Sequence, residues 1–181
     1  GYTGNATCAP SRAALLTGRY PTRVGFEFTP TSPQFMKMAG GDSYKPENAK
    51  NYPDPRSLGL PGSELTLPEV LKEKGYHSVA IGKWHLGIDE GLTPNDQGFD
   101  EFLGLLGGGG LFMEEDDPDV VNSKQDFDPI DRFLWPNLKY AVRFNKSDPF
   151  KPDSHMTDYF SREAIKAIEA NRNRPFFLYL A

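Results

Sequence analysis

The chain has 181 residues, 38% of them hydrophobic and 13% aromatic, which is enough apolar material to close a core at a length that suits one domain. Its net charge is only -5, and Lys and Arg are scattered rather than gathered on a stripe, which excludes a phosphate-backbone binding surface and with it nucleic acid as a partner. No apolar run reaches the ~20 residues that span a bilayer, so no membrane span is expected.

The chain opens on Gly-Tyr-Thr without an initiator Met and closes on the apolar PFFLYLA, so both ends read as internal to a longer protein. Cys8 is the single cysteine and has no internal disulfide partner, which leaves the redox compartment open. From Pro10 to Gly18 the residues predict a helix: Pro10 and Ser11 suit a first turn, Ala13 to Leu16 favour helix, and Gly18 stands where it would end. Cys8 then lies at a helix N-terminus. Residues 30–62 carry six prolines and read as a long surface loop or insertion. Thr66 and Glu69 have capping-box spacing, and the short helix they open would carry Leu67, Val70 and Leu71 on one face with Gly75 as its stop. Tyr76 to Ile81 reads as a strand covered on both faces, with Lys83, Trp84 and His85 at its C-terminal end.

Residues 107–150 are expected to be a second long loop or insertion, with a four-glycine run and the acidic stretch Glu114 to Asp117. The glycines are not followed by Gly-Lys-Ser/Thr, so they do not read as a phosphate loop. A helix over about Asp158 to Ala170, with Phe160, Ala164, Ile165 and Ile168 on one side, precedes a buried strand from Phe176 to Leu180. Helix, strand, helix, strand in that order predicts an α/β fold with a mostly parallel central sheet and flanking helices, residues 1–181 forming part of one domain.

The chemistry concentrates at two strings. A lone cysteine near a helix cap is most often a small buried residue. A phosphatase-type cysteine loop would need arginine at position 14, which is alanine. The whole string, Cys8-Ala9-Pro10-Ser11-Arg12 followed by Leu16-Thr17-Gly18, resembles the signature CxPSRxxxLTG of the type I sulfatases and matches it at every fixed position. A helix N-terminus with free N–H groups and a nearby arginine is also a suitable seat for a tetrahedral anion. Farther on, Gly75-Tyr76-His77-Ser78-Val79-Ala80-Ile81-Gly82-Lys83-Trp84-His85-Leu86-Gly87 resembles the second sulfatase signature, GYxSxxxGKWHLG, along its length. Read alone, its Lys and His are a solvated cation and a capped imidazole; two signatures in the family's order weigh against that.

The resemblance implies an alkaline-phosphatase-like sandwich and a sulfuric ester hydrolase of the arylsulfatase kind. It implies that Cys8 is oxidised to Cα-formylglycine, whose hydrated form attacks sulfur with one oxygen and expels sulfate with the other. His85 would be the base in that elimination, Lys83 the sulfate clamp and Arg12 the residue that holds the formylglycine. Pro10, Ser11, Thr17 and Gly18 would be motif residues serving local geometry and the formylglycine-generating enzyme. The family's single Ca²⁺ would take an oxygen of modified Cys8 and otherwise ligands from beyond residues 1–181; Asp116 and Asp117 are not the metal pair. His77 and His155 fall outside the motif positions. The fragment alone would be inactive, the substrate a sulfated small molecule or carbohydrate, and the protein exported. The competing readings are a formylglycine-dependent phosphonate monoester hydrolase or phosphodiesterase, and a non-catalytic module that binds sulfated sugars on the same fold.

Overall fold

The computed structural model describes residues 2–31, 53–121 and 137–181, with single positions at 35, 37, 45, 47, 125, 127, 128, 131 and 132 between them. In chain order the elements are α1 (Cys8–Thr17), α2 (Pro21–Val24), a 3₁₀ turn (Pro55–Ser57), α3 (Leu67–Lys72), β1 (His77–Lys83), β2 (Glu101–Leu105), β3 (Arg143–Phe144), α4 (Met156–Asn171) and β4 (Phe176–Leu180).

The sheet runs β3-β2-β1-β4, with β1 parallel to both neighbours and β3 antiparallel to β2. Residues 78–82 of β1 are all buried, as the unbroken Val79-Ala80-Ile81 run requires of a strand covered on both faces. Side chains alternate across it. Ala80 joins a core of Ala9, Ala13 and Leu16 from α1 with Phe26, Leu60, Trp84, Leu86, Phe99 and Phe102. Val79 and Ile81 face the other way, into Tyr140, Val142, Met156, Phe160 and Ala164. The result is three layers, α1 on one face of the sheet and α4 on the other, the mostly parallel α/β arrangement expected from the sequence. None of the described helices is long and apolar enough to cross a membrane.

The element ends follow local chemistry. Gly18 takes a left-handed φ of 66° and its N–H closes α1 on Ala14 O. Thr66 and Glu69 form the capping box at α3. The Asn171 side chain bonds back to Ala167 O where α4 ends.

Four expectations need correction. The second presumed loop holds core: β3, Tyr140 and Val142 lie within residues 107–150, where short apolar pieces are too brief for a periodic signal. Strand β4, expected to be buried, has no fully buried residue, and Leu180 is 55% exposed. Most of 30–62 lies outside the described residues, and at its described end Leu60 is buried, with its N–H on Leu86 O, among exposed and half-buried neighbours. The apolar face assigned to α3 is not buried, Leu67 being 38% and Val70 41% exposed; Pro68 is the residue of that helix that packs inward. On α4, Ile165 and Ile168 are exposed, and Met156, Phe160 and Ala164 carry the contact with the sheet.

Gly82 and Gly104 are partners in the β1–β2 register. A Cβ on Gly104 would stand 1.8 Å from Gly82 O, and one on Gly82 2.0 Å from Ala181 O. Both obstacles are backbone, which cannot swing aside as a side-chain tip can. Gly104→Ala is therefore expected to destabilise by about 3 kcal/mol, the upper end of ordinary overpacking, read as a lower denaturant midpoint at unchanged m-value.

Candidate functional site

Two elements bring the site together at the C-terminal end of the parallel strands, where open α/β sheets place their ligand crevice. The first is the N-terminus of α1. Asn5 Oδ1 accepts the Thr7 N–H at 3.1 Å, and Ser11 Oγ donates to Asn5 O at 2.7 Å, so the turn before the helix is tied down. Thr7 is the N-cap in extended conformation and makes no side-chain cap bond. Cys8 then opens the first turn, where backbone N–H groups have no helical partner and the dipole is positive. Pro10, also in that turn, forfeits no bond. At the other end Thr17 Oγ donates to Ala13 O at 2.7 Å, beside the Gly18 stop. The motif residues Pro10, Ser11, Thr17 and Gly18 thus shape the ends of the helix.

The second element is the exit of β1. Lys83 is the last residue of the strand, and the pairing with β2 continues irregularly: Trp84 N–H donates to Leu105 O at 2.8 Å and His85 N–H to Leu106 O at 3.0 Å. Trp84 is the buried anchor, its Nε1 donating to Leu92 O at 2.9 Å. His85 has φ 61°, a left-handed conformation that a non-glycine residue rarely adopts and that the surrounding bonds hold. This turn aims the imidazole at α1.

The two elements meet at Cys8 and His85. Sγ lies 3.2 Å from Nδ1, across 77 residues of sequence. Arg12 reaches the same point by a different route: its guanidinium donates to the Lys83 carbonyl at 2.5 Å and to the Tyr179 hydroxyl at 3.3 Å, tying α1 to the ends of β1 and β4. Tyr179 is the member that motif reading misses, because its place follows only from the β1–β4 register. The four predicted residues, Cys8, Arg12, Lys83 and His85, converge. Cys8, Ser11, Arg12, Arg19, Tyr20 and Tyr179 line an open cleft of about 910 Å³.

The other two histidines stand apart. His77 sits between Glu101 Oε1 at 2.7 Å and Asp100 Oδ2 at 3.5 Å, and His155 caps α4 by accepting the Thr157 N–H. Among the described residues no three His, Cys, Asp or Glu side chains gather as a metal-binding group.

Electrostatics follow from burial. The His85 imidazole is lowered to about 4, first by loss of solvent and then by the Lys83 and Arg12 charges; a hydrogen bond with the Pro30 backbone partly opposes this. Tyr179 is raised by burial, with Arg12 pulling the other way. The sign for stability is fixed by the histidine: between pH 6.5 and about 4 the unfolded chain binds a proton that the folded chain refuses. Its contribution is fully present above pH 6.5 and is lost as pH falls to about 4, on the order of 3 kcal/mol in all. Denaturant midpoints measured between pH 7 and 4 should fall accordingly, and less so in a Lys83→Ala variant, in which the histidine is less depressed.

Comparison with known proteins gives a consistent answer. The family model described as Sulfatase matches residues 1–181. N-acetylgalactosamine-6-sulfatase of Homo sapiens is 33% identical over 192 residues, covering 99% of this chain and 30% of that protein. An arylsulfatase of Hemicentrotus pulcherrimus is 34% identical over 189 residues, covering 100% and 29%. Among solved structures, i-CgsB in complex with k-i-k-neocarrahexaose superposes with a TM-score of 0.68 at 31% identity, over 99% of this chain and 35% of that one. The PsFucS1 sulfatase from Pseudoalteromonas sp., at 22% identity and a TM-score of 0.55, shares the fold over 97% of this chain and 34% of its own. The chain thus spans about a third of the length of the relatives it matches.

Proposed function

We propose, from the premise that this chain belongs to the sulfatase family, that it carries the nucleophile half of a sulfuric ester hydrolase that cleaves sulfate monoesters at residue 8. The observation that carries the reading is the approach of Cys8 Sγ to His85 Nδ1 at 3.2 Å, at a helix N-terminus with Lys83 and Arg12 beside it.

The surroundings of Cys8 fit Cα-formylglycine: position 8 opens a helix whose free N–H groups suit oxygen ligands, it faces a base, and it borders an open cleft. Hydrated, that group would supply two oxygens on one carbon, one to attack sulfur and one to expel sulfate as the carbonyl re-forms. The protein's residues then have separate tasks. The first turn of α1 and the Lys83 ammonium bind the SO₃ group and balance its growing charge. His85 Nδ1, uncharged above about pH 4, takes the proton from the expelling oxygen. Arg12 fixes the helix against the Lys83 carbonyl and adds positive charge to the same corner. Tyr179 holds that guanidinium from the β4 side.

The described residues do not by themselves make a Ca²⁺ site. Residue 8 would give a single oxygen ligand, the remainder coming from other parts of the full-length protein. The substrate class we assign is a sulfated carbohydrate or sulfated small molecule, in keeping with the k-i-k-neocarrahexaose named in the i-CgsB complex. Maturation requires a formylglycine-generating enzyme that acts on the Cys8 to Arg12 string, and an exported location accompanies that chemistry.

The test is made on the full-length protein coexpressed with such an enzyme. Intact mass should show residue 8 oxidised to the aldehyde, and kcat/KM should be far higher on an aryl sulfate than on an aryl phosphate diester. The reverse preference would assign a phosphonate or phosphodiester hydrolase. A persistent thiol with no turnover but retained binding of sulfated sugar would assign a binding module.

A further inference from the structure

We infer that Gly108 is a positioning residue for His85, packed against the imidazole edge opposite residue 8 so that Nδ1 is held toward the nucleophile. The assignment rests on the sulfatase reading of His85. The four-glycine run is irregular chain following β2, and Gly108 is exposed, yet a Cβ built on it would stand 2.7 Å from His85 Nε2, 2.8 Å from Cε1 and 3.3 Å from Cδ2. Ordinary contact of such atoms lies near 3.5 Å or beyond, so at least one side must give way by roughly 1 Å.

The backbone is tethered on both sides, which leaves the imidazole torsion as the freedom most directly pressed. On the far edge of the ring, Cys8 Sγ stands 3.2 Å from Nδ1. The His85 backbone is pinned by its N–H on Leu106 O and by its left-handed φ. The glycine loop is tied at its start by that same bond and at its end by Leu111 N–H on Lys139 O at 3.1 Å. The ring therefore has to rotate, and the contact with residue 8 is what it loses. Misplacement of about 1 Å in a reacting group costs about 100-fold in rate.

The neighbours provide the control. A Cβ on Gly107 or Gly109 meets nothing within 4 Å, and neither residue has a positive φ, so alanine there changes loop entropy in the same way without touching the ring. In the matured full-length enzyme, Gly108→Ala should lower kcat on an aryl sulfate about 10- to 100-fold at unchanged KM, while Gly107→Ala and Gly109→Ala stay close to wild type. In the unmodified thiol form, NMR titration of the His85 ring should move up from its low value in Gly108→Ala only, as the ring swings out of its buried seat. A Gly108→Ala variant that matches Gly107→Ala in both kcat and ring titration would overturn the assignment. Absence of sulfate-ester turnover in the matured wild type would reject the sulfatase reading, and the ring titration would still decide the role of Gly108.

Discussion

Cys8→Ala in the full-length matured enzyme is expected to abolish sulfate-ester turnover, a loss on the order of 10⁵-fold or more, since among the described residues Cys8 is the nucleophile-bearing side chain that faces His85 Nδ1. The fold should be nearly indifferent. Cys8 is only partly buried in the first turn of α1, and alanine is the best helix former, so the change in stability should be within about 1 kcal/mol. Steady-state rates and a thermal melt on the same sample separate these effects. Cys8→Ser is more informative still. Its hydroxyl occupies the same place opposite His85 but offers one oxygen on its carbon, so it can take up sulfate and has no second oxygen with which to expel it. In the absence of a serine-type maturase the expected outcome is at most one equivalent of released alcohol, with sulfate retained on residue 8 by intact mass. Wild-type rates in Cys8→Ala would refute the mechanism outright.

The site was more legible in the sequence than much of its framework, and the reason is physical. The Cys8 to Gly18 and Gly75 to Gly87 strings encode local geometry residue by residue: a tied turn, a first-turn proline, a left-handed helix stop, and a strand that ends in a strained histidine. The helix start at Cys8, its first-turn proline and its glycine stop read from residue type and spacing, the roles of Cys8, Arg12, Lys83 and His85 came from the resemblance of the two strings to the sulfatase signatures, and the tied turn and the left-handed His85 came from neither. Helix α4 and strands β1 and β4 were legible as elements because long periodic or unbroken apolar runs are, although β4, expected to be buried, is only half-covered. β2 was not, since Glu101 to Leu105 includes a glycine and is short, and its burial depends on lying beside β1. Tyr179 and Gly108 were missed for the same reason. Each matters through a partner that is distant in sequence, Arg12 for one and His85 for the other, and only the sheet register brings them together. The exposed α3 face and the exposed Ile165 and Ile168 show the converse failure, in which helical periodicity correctly finds an apolar stripe but not whether these 181 residues cover it.

His85→Ala should lower kcat by about 10²- to 10⁴-fold, the usual worth of a positioned general base, while intact mass shows residue 8 still modified. The loss should fall on sulfate expulsion, because the attack is supported by the helix N-terminus and Lys83, which the substitution leaves in place. Rapid mixing with an aryl sulfate should therefore give a burst of aryl alcohol followed by a slow steady state, and added imidazole should restore part of the slow phase by entering the space vacated beside Cys8. The pH dependence supplies an independent check. In the wild type the base stays uncharged until pH falls to about 4, so the acid limb of the rate profile should lie near that value and not near 6.5, and it should vanish in His85→Ala. The stability loss between pH 6.5 and about 4 should vanish with it, because the proton that unfolding would take up no longer has a site. A variant that keeps that stability slope would show that another group titrates there, and one that keeps both the acid limb and the wild-type rate would show that His85 is not the base.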